Sequence, residues 1–158
     1  MNMRLFLTAG TIAVLSACGS ATDSVSFTAP PEFHSKASFG PFMQIWSKDD
    51  PHTVLILMAL PVKTDLDKAM SEADLRDATI KKTDRIKICN GSQDALYAEV
   101  EGEAKTGSSD TSGKPQRSDV EFLATNVAGK TYMAMYARPL HTAADPAAEA
   151  AVKNVCPK

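Results

Sequence analysis

Three cysteines and three histidines are the side chains best suited to metal or nucleophile chemistry in this sequence: Cys18, Cys89, Cys156, His34, His52 and His141. A structural zinc site usually takes its ligands from close pairs such as Cys-x-x-Cys or His-x-x-x-His. Cys89 and Cys156 are instead 67 residues apart, and each histidine stands alone beside residues typical of turns. The spacing therefore predicts no metal site and no bound cofactor.

Motifs of phosphate-binding or catalytic chemistry are incomplete or absent. Gly107 to Lys114 resembles a phosphate loop, but five residues instead of four separate its glycines, and Pro115 replaces the magnesium-binding Ser or Thr. Asp65 and Asp67 fit the first turn of a helix, and no Asp-x-Asp-x-Asp-Gly calcium loop contains them. The sequence has no Gly-x-Ser-x-Gly nucleophile elbow. We therefore expect a protein that is not an enzyme, with a nucleophile assembled only by the fold as the alternative.

The residues before Cys18 have the features of a secretion signal. Arg4 precedes an uncharged, mostly apolar run from Leu5 to Leu15, which is too short to span a bilayer. Leu15-Ser16-Ala17-Cys18 resembles a bacterial lipobox, in which cleavage occurs before a cysteine that carries acyl chains such as palmitate. We predict a signal peptide at residues 1–17 and lipidation of Cys18; the alternative is an ordinary signal with an incidental cysteine.

A short polar segment separates the predicted anchor from the domain. Residues 18–26 would form a lipidated tether. As a flexible coil, this tether would have a root-mean-square end-to-end distance of only about 15 Å, so the domain would stay close to the membrane. Gly19 rather than Asp after the cysteine favours the outer membrane, on its periplasmic side. We therefore expect a partner at that membrane, with a spacer that has no functional role as the alternative.

The two remaining cysteines form an even pair in an exported chain. The oxidising periplasm favours a disulfide between Cys89 and Cys156 over a reactive thiol. Closure of a 67-residue loop would stabilise the fold by at most about 4 kcal/mol.

Composition indicates one ordinary globular domain, which we place at residues 27–158. The chain is 44% hydrophobic and 23% charged, with a formal net charge of −2. Nucleic-acid binding is disfavoured because phosphate contacts need a basic surface.

The pattern of apolar residues predicts an α+β domain with an antiparallel sheet of about six strands and helices packed on it. A first helix is predicted from Thr64 to near Leu75, and a last one begins at Asp145-Pro146 and reaches Cys156, where the disulfide would staple it to the sheet. Residues 102–118 read as a flexible loop. The predicted strands are Phe42–Lys48, Thr53–Leu60, Arg85–Cys89, Ala95–Glu101, Asp119–Thr125 and Lys130–Arg138.

Methionine and aromatic residues in the last predicted strand suggest an apolar surface. Met133 and Met135 alternate with Tyr132 and Tyr136, so both faces of this strand need cover, and two helices are few for that purpose. With Trp46, these residues could line a groove for a ligand or a partner. The alternative is that all of them belong to the core.

The order of elements resembles a known family. A leading Ala29-Pro30-Pro31-Glu32-Phe33 segment, a strand pair containing Trp46, a short helix, antiparallel strands and a terminal helix at Asp145 to Cys156 follow one another. Residues 27–157 are in this respect similar to the small PsbP, DcrB and LpqN-like proteins, which implies an α/β/α sandwich of the Mog1p/PsbP type. The family has no catalytic motif, so the resemblance implies a secreted or lipid-anchored accessory protein of membrane assemblies.

Three functions follow as hypotheses. The first is a membrane-anchored envelope lipoprotein that acts as a non-catalytic interaction module. The second is a periplasmic binding protein for a small apolar ligand, and the third is a small periplasmic enzyme. A contiguous exposed patch, a closed apolar cavity and a cleft of converging polar groups would distinguish them.

Overall fold

A computed structural model describes residues 23–68, 78–103 and 117–158 of the chain. A seven-stranded antiparallel sheet has the strand order β2-β3-β4-β8-β7-β6-β5, and β1 and β9 form a second, two-stranded sheet. Helix α1 is Pro146–Val152, and a helical turn begins at Leu66. The strands are β1 Val25–Ser26, β2 His34–Phe39, β3 Met43–Lys48, β4 Thr53–Leu60, β5 Ala78–Ile88, β6 Gln93–Glu103, β7 Arg117–Val127, β8 Lys130–Pro139 and β9 Cys156–Pro157.

Several predictions concern residues outside these ranges. The signal peptide and Cys18 lie there, as do the predicted helix beyond Lys68 and residues 104–116 of the predicted loop. At the described ends of that loop, β6 continues to Glu103 and β7 begins at Arg117, so the boundaries 102 and 118 are corrected.

The predicted hairpins are present, and positive φ angles close two of their turns. Ala128 and Gly129 between β7 and β8 both have positive φ, 49° and 78°, which matches the right-handed twist of the flanking strands. Asn90 and Gly91 between β5 and β6 also have positive φ, as the Asn-Gly pair predicts.

The fold is more β-rich than expected. Instead of about six strands, the main sheet has seven, and two short strands pair beside it. Strand β2 was missed because its residues are mostly exposed and polar and lack a clear alternation. It is an edge strand with a register shift between Ser35 and Ala37, and such irregularities protect a sheet edge from pairing with other chains.

The two faces of the sheet have different cover. On the face that we call the α1 face, Leu55, Leu57, Leu123, Tyr132 and Tyr136 form the main core. Side chains from α1 and from the N-terminal segment complete this core: Ala148, Ala151 and Val152 from α1, and Val25, Phe27 and Phe33 from the segment.

The Cys89–Cys156 disulfide is confirmed, with a Cα–Cα distance of 5.5 Å. Its place differs from the prediction, because α1 ends at Val152 and Cys156 lies in β9. Pro157 follows at once and has no N–H with which to continue a helix. The disulfide therefore holds the β1–β9 pair, and not the helix itself, against the turn between β5 and β6.

Within the described residues, no helix is both long enough and apolar enough to cross a membrane.

Candidate functional site

The structure divides the predicted apolar surface between the two faces of the sheet. Tyr132 and Tyr136 are 2% and 1% exposed and belong to the core of the α1 face. Trp46 packs against the same core, with its ring 5.2 Å from that of Phe27. Met133 and Met135 lie on the opposite face and are partly exposed. The five residues do not form one surface, because neighbouring residues of a strand point to opposite faces.

The face that carries the two methionines is apolar across the central strands, and we call it the methionine face. Register places Phe39, Met43, Met58 and Met133 in one transverse row. The next row contains Ile45, Ile56, Met135 and Phe122, all of them partly exposed. Further partly exposed apolar residues extend this face toward the other end of the strands: Val54, Ala137, Val120 and Val100.

The segment after β4 covers one side of the methionine face. Leu66 packs on Leu96 and Ala124, with Phe122 and Met133 at the margin of this small cluster. The segment is held in place by the Thr64 N–H, which donates to Thr131 Oγ1 at 2.8 Å, and by Asn126 Nδ2, which donates to the Thr64 carbonyl at 3.0 Å. The apolar surface on β3 and β4 lies away from this cluster and remains partly exposed.

A buried polar network on the α1 face was not predicted. The Glu121 carboxylate is 3% exposed and accepts hydrogen bonds from the Tyr97 hydroxyl at 3.0 Å and from Arg138 Nη1 at 2.9 Å. Burial, followed by the neighbouring carboxyl of Glu149, raises the pKa of Glu121 despite the guanidinium of Arg138. The nearly buried carboxyl therefore connects α1, through Glu149, to β6, β7 and β8.

Tyr97 stands at the centre of this network. Its hydroxyl also lies 3.2 Å from Glu99 Oε1, and its ring faces the ammonium groups of Lys153 at 4.7 Å and Lys82 at 5.8 Å. Burial, then the charge of Glu121, raises the pKa of Tyr97 far above its ordinary range. The hydroxyl therefore stays protonated and serves as a hydrogen-bond donor.

Asp145 connects the start of α1 to Lys48 of β3 and to Tyr136 of β8. It is the N-cap of the helix and accepts from the Ala147 N–H at 3.0 Å, while its own N–H donates to the Tyr136 hydroxyl at 3.1 Å. Burial favours the neutral acid, but hydrogen bonds from Lys48 and from the backbone outweigh it and hold the pKa of Asp145 below its ordinary value.

Groups suited to metal binding do not converge in the part of the chain that the structure describes. No set of three or more His, Cys, Asp or Glu side chains is placed there to hold a metal ion. His34, His52 and His141 are each exposed, and Asp65 uses its carboxylate to accept the N–H groups of Asp67 and Lys68.

Comparison with known proteins identifies the fold. No family model and no curated protein matches the chain in sequence. The Ran-binding protein Mog1p of Saccharomyces cerevisiae matches in structure with a TM-score of 0.51 and 14% identity, over 74% of this chain and 72% of that one. The structure of a single-residue variant of protein Mog1 matches with a TM-score of 0.51 and 15% identity, over 82% and 84% of the two chains. At this identity the likeness shows the fold alone, a mainly antiparallel β fold of the Mog1p type.

Proposed function

We propose that this protein is a non-catalytic accessory protein of the bacterial envelope, anchored by a lipid at Cys18, that binds an envelope protein through its methionine face. The observation that carries the proposal is the continuous apolar surface of β3, β4 and β8, which is partly exposed on a sheet whose other face carries the main core.

The composition of this face suits a protein partner. Met43, Met58, Met133 and Met135 are unbranched and polarisable, so they adapt to the side chains of a partner without a preformed shape. An exposed apolar surface that extends over several strands is costly in water, and such surfaces mark sites of association.

The anchor is supported by the sequence before the domain. The lipobox-like Leu15-Ser16-Ala17-Cys18 follows an apolar run of the length typical of secretion signals. The disulfide between Cys89 and Cys156 fits an oxidising compartment such as the periplasm.

The fold is compatible with protein binding. Mog1p, which shares it, is described as a Ran-binding protein. Function resides in sites and not in folds, so this likeness supports a protein-binding role only by analogy.

The experiment compares two sets of substitutions at the same positions. Met58, Met133 and Met135 are replaced together by Gln in one variant and by Leu in the other, because Leu conserves volume and hydrophobicity. Each lipidated protein is extracted from membranes with a mild detergent and its native size is measured. We expect the parent and the Leu variant to migrate in a larger complex and the Gln variant to migrate alone, with unchanged circular dichroism.

A parent protein that is monomeric after extraction, or a Gln variant that keeps the complex, would contradict the proposed partner site. The anchor is tested separately by metabolic palmitate labelling, which Cys18→Ser should abolish. Labelling of that variant at the level of the parent would show that the anchor assignment is wrong.

A further inference from the structure

Exposed apolar side chains are concentrated at one end of the main sheet. Because the strands are antiparallel, the ends of β2, β4, β5 and β7 lie at the same end as the starts of β3, β6 and β8. We call it the Phe42 end, and its connections are residues 40–42, 61–63, 89–92 and 128–129.

Three of the four large hydrophobic side chains that are exposed in the described ranges belong to this end. Phe39 and Phe42 are each 55% exposed and Val62 is 59% exposed. The fourth, Ile80 at 44%, is near the start of β5 and therefore at the opposite end of the sheet. Amphipathic and apolar side chains grouped in this way suit the boundary between lipid headgroups and acyl chains.

The chain also enters the domain at the Phe42 end. Strand β1 pairs with β9, and the disulfide from Cys156 to Cys89 fixes β9 beside the turn between β5 and β6. The seven peptide steps from Cys18 to Val25 span at most about 25 Å when fully extended. A lipid at Cys18 therefore keeps this end of the sheet near the bilayer.

The charges of the connecting segments favour an anionic surface. Lys63 and Lys130 are exposed at the Phe42 end, and Lys158 follows β9. The nearest acids along the chain are engaged: Asp65 accepts two backbone N–H groups, Asp67 pairs with Arg85, and Asp94 pairs with Lys87.

At the opposite end, the turn between β3 and β4 carries the exposed pair Asp49 and Asp50.

From this placement we infer that the Phe42 end is a membrane-contact surface: Phe39, Phe42 and Val62 insert at the headgroup boundary of an anionic bilayer, and Lys63, Lys130 and Lys158 lie against the headgroups. The inference rests on the proposed lipid anchor. A lipid anchor alone does not fix the orientation of the domain on the bilayer. The contact stands the strands upright on the bilayer, so the methionine face points sideways, toward proteins embedded in the same membrane.

Fluorescence quenching tests this orientation in the lipidated protein. Phe42→Trp and Ile80→Trp are each made in a Trp46→Phe background and reconstituted into vesicles of phosphatidylcholine and phosphatidylglycerol with brominated acyl chains. We expect strong quenching of the tryptophan at position 42 and little at position 80, although the same anchor holds both proteins. Val62→Trp with Trp46 retained is the second probe, because it leaves the core untouched.

The outcomes separate the inference from the anchor. A protein that does not float with the vesicles refutes the anchor assignment. A protein that floats but shows equal quenching at positions 42 and 80 refutes the membrane contact and leaves the anchor in place. A protein cross-link to position 42 in cells would assign this end to a protein partner instead. Omission of phosphatidylglycerol should reduce the difference in quenching between the two positions.

Discussion

Replacement of Arg138 by methionine should destabilise the protein in a strongly pH-dependent way. Arg138 Nη1 lies 2.9 Å from Glu121 Oε1, and the two side chains are only 16% and 4% exposed. Methionine is a similarly unbranched side chain but removes the guanidinium, whose Cζ lies 5.5 Å from the centroid of the Tyr136 ring. Glu121 then remains buried beside Glu149 of α1, without its guanidinium partner.

The magnitude follows from burial. Removal of one partner of a buried ion pair typically costs about 3 kcal/mol or more, because the other charge is left in a poorly solvated site. We therefore expect Arg138→Met to lose about 3 kcal/mol at pH near 8, which corresponds to a decrease in melting temperature of about 6 to 12 °C.

The sign of the pH dependence is set by Glu121. Burial and Glu149 raise its folded pKa, whereas Arg138 opposes the increase, so the substitution raises this pKa further. A carboxyl whose folded pKa is raised contributes stability that is fully present below its unfolded pKa and is lost as the pH rises through the folded value. The cost of Arg138→Met should therefore be smallest near pH about 4.5, where the lost hydrogen bond from Arg138 Nε to the Thr142 carbonyl still contributes, and should grow toward neutral pH.

Urea unfolding followed by circular dichroism over this pH range measures the effect as a difference from the parent, so that other titrating carboxylates cancel. Arg117→Met is the matched control, because Arg117 is 52% exposed where it pairs with Glu101 and its loss should cost at most about 1 kcal/mol at every pH. Glu121→Gln added to Arg138→Met should abolish the pH dependence. An equal cost of Arg138→Met at acidic and alkaline pH would show that Arg138 does not stabilise a buried, charged Glu121.

Three further predictions test the fold. Cys89→Ser with Cys156→Ser should lower the free energy of unfolding by a few kcal/mol, with about 4 kcal/mol as the upper limit. Alkylation of the native parent should find no free thiol at either position; two free thiols would show that the bridge is absent. Ala128→Asn should raise the melting temperature, with a gain of about 0.5 to 1 kcal/mol in the free energy of unfolding. Residue 128 has positive φ in an exposed turn, and Asn tolerates that conformation better than Ala. A loss of stability would contradict the turn geometry. Asp145→Ala should lower the free energy of unfolding in urea by about 1 to 2 kcal/mol. Asp145→Asn should cost distinctly less, because Asn still accepts the Ala147 N–H. Equal costs would assign the effect to the ion pair with Lys48 and not to the helix cap.

The parts of the fold with strong local signals were predictable from the sequence. The Asp49–His52 turn and the Asn90-Gly91 turn carry their own backbone preferences, and Thr53–Leu60 is apolar enough to be a central strand. The pairing of Cys89 with Cys156 was predictable because these two cysteines remain once Cys18 is assigned to the predicted lipid anchor, and because the predicted periplasmic location favours disulfides. Signals of this kind need no knowledge of long-range contacts.

Features that depend on distant partners were not predictable. β2 is exposed and polar, and it is a strand because β3 offers it a free edge. β9 exists because the disulfide and β1 hold the chain extended beyond Val152. In both cases tertiary contacts determine the local conformation, and the residues themselves have no such preference.

The candidate site was predicted in part. Alternation in the predicted strand Lys130–Arg138 is clear, but the sequence does not say which face the helix covers, so Tyr132 and Met133 are grouped together in the prediction. Glu121 offered a signal that was overlooked, because period two places it on the same face as Leu123, where a charge needs a partner. Its actual partners, Tyr97 and Arg138, come from two other strands and follow only from the register.

Photo-crosslinking in cells is the most direct test of whether an envelope protein binds to the methionine face. A photoreactive residue is placed at Met135 on the methionine face or at Ala150, an exposed position of α1, in the lipidated protein. We expect a discrete adduct with one envelope protein from position 135, none from position 150, and loss of the adduct when Cys18→Ser prevents anchoring. Adducts of equal yield from both positions, or no protein adduct from position 135, would contradict this expectation.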